Sequence, residues 1–428
     1  MKPPVPAASA ELPPVARRFV RYVQIDTQSD ADSDSVPTTE KQKDLSRLLR
    51  DELRALGLDT EMDAHGYVYA TLPSTLPPER ASRLPKLGLV AHVDTSPDEP
   101  GGSVHPLLHP DYDGSTLRLP GDPDVTLDPD RQPALRDHLG HTLITSDGTT
   151  LLGSDDKAGV ALIMQLAEDL LADDAPRPEL RLLFTVDEEV GRGVDHLDTD
   201  RFGADVAYTV DGGGTGGIYA ETFNAAEATV TVEGVTVHPG YAYGVMVNAV
   251  RVLAEIIAAL PADEAPATTR DRAGYFYPHT IPHGETGRAR VKVLLRDFDA
   301  AGLERRKALL LRLAEQAEAD HPGARVHVEI RDQYRNMRGY IEAQDPRTVT
   351  FALEAAQAVG IEPELRITRG GTDGARLSER GIPTPNVFTG GHDFHSRFEW
   401  NTVENLTTAL AYLKALVGRW ASAVERPE

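Results

Sequence analysis

No cysteine occurs among the 428 residues of the chain. Disulfides, thiolate nucleophiles and cysteine-held zinc or iron–sulfur centres are therefore excluded together. Any metal has to be held by His, Asp or Glu, the ligand set of catalytic rather than structural zinc. Positive charge is also scarce, with 44 Lys and Arg against 67 Asp and Glu, a net charge of −23. Phosphate backbones require a basic footprint, so a nucleic-acid partner is not expected, and an anionic membrane surface would repel such a chain. Long apolar runs are missing as well. VALIMQLA (160–167) suits a buried helix and is far too short to span a bilayer. The opening MKPPVPAASAELPPV has prolines where a secretory leader has an apolar stretch. A cytoplasmic protein is the expectation. What remains, 40% hydrophobic and 26% charged residues, is ordinary globular composition, and the length predicts two domains.

After a Pro/Ala-rich tail, the pattern predicts helices over 11–24 and 39–56 and a strand over 66–72. KLGLVAHV (86–93), ELRLLFTV (179–186) and ADVAYTV (204–210) are nearly continuous apolar runs, as in a parallel sheet covered on both faces. Residues 97–140, rich in Pro, Gly and Asp, read as a surface excursion. LITSDGTTLLG (143–153) reads as a hairpin with Asp147-Gly148 at its tip. A helix is expected over 158–172. Residues 226–332 then follow the order strand, helix, strand (a short HTIPHG, 279–284), strand, helix, strand, the plan of a split βαβ domain. A helix over 346–359, a strand at 383–390 and a helix over 402–422 close the chain. The expected fold is α/β, a mixed sheet with helices on both faces. An inserted ferredoxin-like β-α-β-β-α-β domain interrupts it over 223–342, leaving 1–222 and 343–428 to the larger domain.

Ligands of open α/β sheets bind at the carboxyl ends of strands, and an unusual set collects there. His92 is followed two residues on by Asp94, on the same side of an extended chain. Asp187, Glu188 and Glu189 follow one strand and Asp211 ends another. His392, Asp393 and His395 follow a third, and Asp155 and Asp156 sit in LLGSDDKAGVA (151–161). Singly, each has a plain structural reading, and adjacent aspartates at a helix start would ordinarily be a cap. Gathered at one edge, so many carboxylates would repel one another and raise each other's pKa values. Lysines are scarce in these motifs, so divalent cations are the natural counter-charge, and two-metal hydrolytic sites are built this way. Gly212–Gly217 matches G-x-G-x-x-G formally, but β-like sequence follows where a dinucleotide site requires a helix. No P-loop, G-x-S-x-G elbow or H-E-x-x-H motif is present.

The ordered segments AHVDTSPD, LLGSDDKAGVA, TVDEEVG, AYTVDGGG, HPGYAYGVMVNA, RDFD, RGGTDGARLS and PNVFTGGHDFH closely resemble the peptidase T family, tripeptide aminopeptidases of the co-catalytic di-zinc metallopeptidase superfamily. The likeness runs from about Arg17 to the C-terminal helix. It implies a zinc-peptidase-type catalytic domain with the inserted domain as a lid. It implies two Zn2+ per chain, with Co2+ and Mn2+ as admissible substitutes for an O/N site. His92 and Asp211 would hold one ion, Glu189 and His395 the other, and Asp155 would bridge both. Glu188 would be the general base toward the bridging water and later the acid toward the leaving amine, and Asp94 would orient the His92 ring. His238, Asn248, Arg296 and Arg369 would contact substrate, Arg by its fork for a carboxylate. A cis peptide between Asp155 and Asp156 is also implied.

Tyr241 and Tyr243 stand where the family usually has Thr and Lys. His392, Asp393 and Phe394 replace Tyr, Asn and Tyr, and Phe398 replaces a His. His392 also offers itself as a rival ligand to His395, the resemblance favouring His395. The implied partner is a small peptide, hydrolysed at its N-terminal residue, with a homodimer left open. The alternatives are an acylamino-acid deacylase or carboxypeptidase of the same superfamily, or a non-catalytic peptide- or metal-binding homologue.

Overall fold

The computed structural model describes residues 5–6, 11–282 and 285–423. Of the sequence-expected strand HTIPHG, His283 and Gly284 lie outside these residues, and so does most of the N-terminal tail. The chain divides into two compact units. The first comprises Met1–Ala220, Gly339–Arg366 and Thr372–Glu428, and the second comprises Glu221–Arg338 and Ile367–Gly371. Ile367–Gly371, assigned by its sequence position to the first domain, joins the second unit for a physical reason. Arg369 donates to the Asp271 carbonyl and to Thr269 Oγ1 and lies over the rings of Phe223 and Tyr275.

The first unit is built on an eight-stranded mixed sheet. Its order is Glu364–Thr368, Gly217–Thr222, Asn386–Phe388, Val206–Gly212, Leu87–His92, Leu180–Thr185, Val68–Leu72 and Asp59–Met62. Asn386–Phe388, Val206–Gly212, Leu87–His92 and Leu180–Thr185 are joined by parallel pairings. Every residue of Leu87–His92 is buried, as its unbroken apolar run requires when helices cover both faces. Helix Ser154–Ala172 packs on Leu87–His92 and Val206–Gly212, and against helices Pro14–Val23 and Val403–Ala421. Gly159 permits that approach, since a Cβ there would stand 1.8 Å from the Val210 carbonyl oxygen. Because the four central strands run the same way, their carboxyl ends share one edge. That edge receives His92, Asp211 and the turns after Thr185 and Phe388.

Three further sequence expectations change. The strand expected at HTIPHG (279–284) lies earlier, at Tyr275–Thr280, where Phe276 is buried and pairs with Leu295 of the neighbouring strand. Residues 97–140 are more than an excursion. They contribute strands Leu107–His109, Leu117–Leu119 and Asp122–Leu127, and Tyr112, Leu117, Leu119, Val125, Leu127 and Leu135 bury themselves with Leu143 and Trp400. Nor is 143–153 a hairpin. Leu143–Thr145 pairs with Leu107–His109 and with Trp400–Thr402 instead, because Leu151 and Leu152 are drawn into the turn that opens helix Ser154–Ala172. After the glycines at 212–217 comes strand Gly217–Thr222, antiparallel to Asn386–Phe388, so no helix is there to receive a pyrophosphate.

The second unit has the order strand Asn224–Glu233, helix Ala249–Ala258, strands Tyr275–Thr280 and Arg288–Asp297, helix Ala300–Asp320 and strand Arg325–Tyr334. Its antiparallel sheet runs Tyr275–Thr280, Arg288–Asp297, Asn224–Glu233, Arg325–Tyr334, the split βαβ arrangement. Alternating burial along Arg288–Asp297 turns Ala289, Val291, Val293 and Leu295 onto the helices.

Candidate metal centre

Asp155 lies between two histidines. Its Oδ1 is 3.0 Å from His92 Nε2 and its Oδ2 is 3.2 Å from His395 Nε2. His92 Nε2 is also 3.5 Å from Asp211 Oδ1, and His395 Nε2 is 2.8 Å from Glu189 Oε2. Two groups result, His92–Asp155–Asp211 and Asp155–Glu189–His395, each with its ligand atoms within 4.8 Å of one another and sharing Asp155.

Local structure explains how the chain presents them. The Asp155–Asp156 peptide is cis, and both residues depart from helical backbone angles. Asp156 Oδ2 accepts from His92 N, and its Oδ1 accepts from Gly159 N, capping the helix beyond the kink. The adjacent aspartates thus divide, one toward the shared position and one toward cap and strand. Asp94 is fully buried. Its backbone oxygen is 3.0 Å from His92 Nδ1, nearer than its carboxylate at 3.4 Å, and the carboxylate accepts from Glu188 N and Glu189 N. Asp187 is spent on structure, accepting from Thr38 N, Thr38 Oγ1 and Gln42 Nε2. His395 has a positive φ of 58° and Asp393 one of 55°; Trp400 Nε1 donates to Asp393 Oδ2. His392 is stacked on Trp400 with ring centroids 4.1 Å apart and stands outside both groups.

The electrostatics are those of a site short of positive charge. Burial, then the charge of Asp155, pushes the Glu189 carboxyl up to about 8 and that of Asp211 up to about 7. Burial also holds the Glu188 carboxyl well above the glutamate range. Burial would depress both imidazoles, but hydrogen bonds to carboxylates overcome it: His395 is raised to about 12 by Asp155 and Glu189, and His92 well above its usual value by Asp155, Asp211 and Asp94. Burial would raise Asp155 too, yet its bonds to His395 and His92 hold it below the carboxylate range. Glu189 Oε1 is buried with no hydrogen-bond partner among the described residues. A donor set of carboxylate oxygens and imidazole nitrogens, with a buried oxygen unmet, fits divalent cations such as Zn2+.

The sequence-expected substrate residues all fall in the second unit. His238 is exposed and its Nδ1 accepts from Gly240 N. Asn248 Oδ1 caps helix Ala249–Ala258, accepting from Val250 N and Arg251 N. Arg296 is buried and donates from Nη1 to the carbonyls of Ala226 and Leu295. Arg369 makes the contacts given above. Tyr241 and Tyr243 are 81% and 101% exposed.

Sequence reasoning missed three residues. Asp98 Oδ2 is 3.4 Å from His395 Nδ1, Asn386 Oδ1 accepts from Asp211 N, and Glu399 holds the turn before Asp155. Only folding brings these together, and no local spacing marks them.

Residues 133–419 match the model of peptidase family M20/M25/M40. Peptidase T of Bacillus subtilis (strain 168) is 42% identical over 398 residues, covering 92% of this chain and 96% of its own. Peptidase T of Desulfitobacterium hafniense (strain Y51) is 44% identical over 391 residues, covering 90% and 93%. The crystal structure of aminopeptidase PepT from Bacillus cereus ATCC 10987 shares the fold with a TM-score of 0.73 at 23% identity, over 96% of this chain and 98% of that one. The chain belongs to peptidase family M20/M25/M40, among its peptidase T members.

Proposed function

We propose that the chain is a metal-dependent aminopeptidase that removes the N-terminal residue of tripeptides. The observation that carries this reading is the pair of ligand groups sharing Asp155, with Glu188 on the turn that also bears Glu189, in a chain 42% identical to a peptidase T. His92, Asp155 and Asp211 would hold one divalent cation, and Asp155, Glu189 and His395 a second. Zinc is the ion we assign, with cobalt or manganese as substitutes. Such ions supply Lewis acidity toward a carbonyl oxygen and lower the pKa of water.

The rest of the chemistry belongs to the chain. The Glu188 carboxylate makes no hydrogen bond among the described residues, while its backbone N–H is pinned by Asp94. Its backbone is fixed and its oxygens remain unspent, as a group that moves a proton requires. Glu188 takes a proton from the attacking water and returns it to the departing amine. Asp94 steadies this base and the His92 ring together. His238 serves as a substrate hydrogen-bond donor through Nε2, the ring nitrogen left to carry the proton. Asn248, Arg296 and Arg369 would contact the substrate while also holding structural partners in the second unit.

No helix among the described residues is long and apolar enough to cross a membrane, and we propose a cytoplasmic location. The test is Glu188→Ala in zinc-loaded protein assayed on a tripeptide and its N-acetylated form. The variant should keep its zinc and lose hydrolysis by about 10²–10⁴-fold, and wild type should cleave only the free-amine peptide. Full activity in Glu188→Ala, or cleavage of the acetylated peptide alone, refutes the assignment.

A further inference from the structure

The residue that presents Asp155 is itself held from the far end of the chain. Glu399 is 1% exposed, and both its oxygens are committed. Oε2 accepts from Leu152 N at 2.8 Å and Gly153 N at 2.7 Å, and Oε1 accepts from Asp155 N at 3.0 Å. Two residues further on, Asn401 Nδ2 donates to Ser154 Oγ at 3.0 Å. The turn 152–155 is thereby gripped at four consecutive residues. Gly153 takes the left-handed backbone, φ 84°, that bends the turn around the carboxylate. Glu399 lies four residues after His395, whose ring meets Asp155 Oδ2. One short segment therefore sets both the histidine and the backbone beneath the carboxylate it faces.

Resting on the metal-dependent reading above, we propose that Glu399 is a positioning residue for the shared carboxylate. By clamping the turn it fixes how Asp155 divides its two oxygens between the His92 and His395 groups. A helix cap or a packing contact would need one acceptor. Three converging N–H donors on one buried carboxylate hold a backbone against rotation, and the rotation in question would swing the one side chain common to both groups. Glutamine at 399 keeps the shape but replaces one acceptor oxygen by an NH2 that faces a backbone N–H, releasing at least one grip. Aspartate keeps both oxygens on a shorter stem.

The test uses the full chain, stripped and reloaded with cobalt, comparing wild type with Glu399→Gln and Glu399→Asp. Read out are the two cobalt affinities, the visible absorption envelope, and kcat and KM on a tripeptide at saturating metal. Supporting-residue changes around metals cost about 10–100-fold in affinity or activity. In Glu399→Gln the second cobalt should bind at least about tenfold more weakly, the absorption envelope should change, and kcat should fall with little change in KM. Glu399→Asp should recover part of each. A merely structural Glu399 would lower the melting temperature and leave the affinities, the envelope and the kcat of folded, loaded protein untouched, and that result overturns the proposal. Should Glu399→Gln fail to fold, Glu399→Asp decides: an altered second affinity and envelope support positioning, and wild-type values refute it. Failure of wild type to load two cobalt ions would overturn the underlying metal reading instead, and with it this role.

Discussion

Asp94 offers a sharp test, because the structure separates two tasks that its position next to His92 merges. The ring nitrogen His92 Nδ1 is closer to the Asp94 backbone oxygen than to its carboxylate, 3.0 against 3.4 Å. The tautomer of His92 is thus secured by a carbonyl that no substitution at 94 removes. The carboxylate is committed to Glu188 N and Glu189 N at 3.1 and 3.2 Å. Asp94→Asn retains one acceptor oxygen for these two donors and loses one charge-assisted bond, worth about 1.5–3 kcal/mol. If the full amount is felt in the transition state, kcat falls by about 10–100-fold, at 1.36 kcal/mol per decade. Zinc content should remain at the wild-type level, since the ring orientation of His92 persists. Asp94→Ala, losing both acceptors and leaving buried N–H groups unmet, should fall further and lose stability as well. The assay is steady-state hydrolysis of a tripeptide with zinc measured on the same samples. If Asp94→Asn sheds zinc while keeping wild-type kcat per bound ion, the carboxylate acts on His92 and this partition is wrong.

Proton competition gives a pH dependence of known sign. Hydrogen bonds to carboxylates raise both ligand imidazoles, His395 to about 12, so near neutrality they carry protons that an incoming cation must displace. The Glu189 and Asp211 carboxyls, pushed up to about 8 and about 7, also hold protons in this range. Zinc affinity of stripped protein should therefore rise from pH 6 to pH 8, with release of more than two protons per chain near pH 6; calorimetry in buffers of different ionisation enthalpy would count them, and a pH-independent affinity contradicts this charge balance. Asn248→Ala removes the acceptor for two N–H groups of helix Ala249–Ala258 and should cost about 1 kcal/mol by thermal or urea unfolding; an unchanged KM alongside would leave Asn248 as a cap alone. Gly159→Ala places a methyl 1.8 Å from the Val210 oxygen, and should destabilise the folded chain by about 1–3 kcal/mol, visible as a lower urea midpoint.

Much of this architecture is legible in sequence because its signals are local. Leu87–His92 and Leu180–Thr185 are uninterrupted apolar runs, and the parallel sheet they form sends their ends to one edge. The strand–helix alternation over 226–332 writes out the second unit. Even the division between Asp155 and Asp156 is foreshadowed, since one of two adjacent aspartates at a helix start suffices as a cap. What escapes is tertiary. Leu143–Thr145 reads as half of a hairpin because Asp147-Gly148 is turn chemistry, yet its partners come from positions 107 and 400. The region 97–140 carries its alternating apolar residues only in brief stretches, Leu117-Arg118-Leu119 and Val125-Thr126-Leu127, too short between Pro, Gly and Asp to betray a shared core. Glu399 stands between Phe398 and Trp400 with no local motif around it, and its three donors belong to residues some 240 positions earlier. Arg296 and Asn248 illustrate the converse, residues whose chemistry suits a substrate and whose hydrogen bonds go first to the backbone.

The two ligand groups close at different times in the life of the chain. His92, Asp155 and Asp211 all precede the second unit, whereas His395 follows it. At about 5–20 residues per second, roughly 180 residues of synthesis separate them by about 10–40 s. Throughout that interval a nascent chain would have, on the proposed assignment, all three residues of one group and only Asp155 and Glu189 of the other. Glu399, which steadies the residue common to both, arrives later still. On the proposed assignment, such a chain would complete the first ligand group before the second. By the same assignment, the second unit stands between the fourth ligand and the last, so the complete ligand set would form only after that unit has been synthesised.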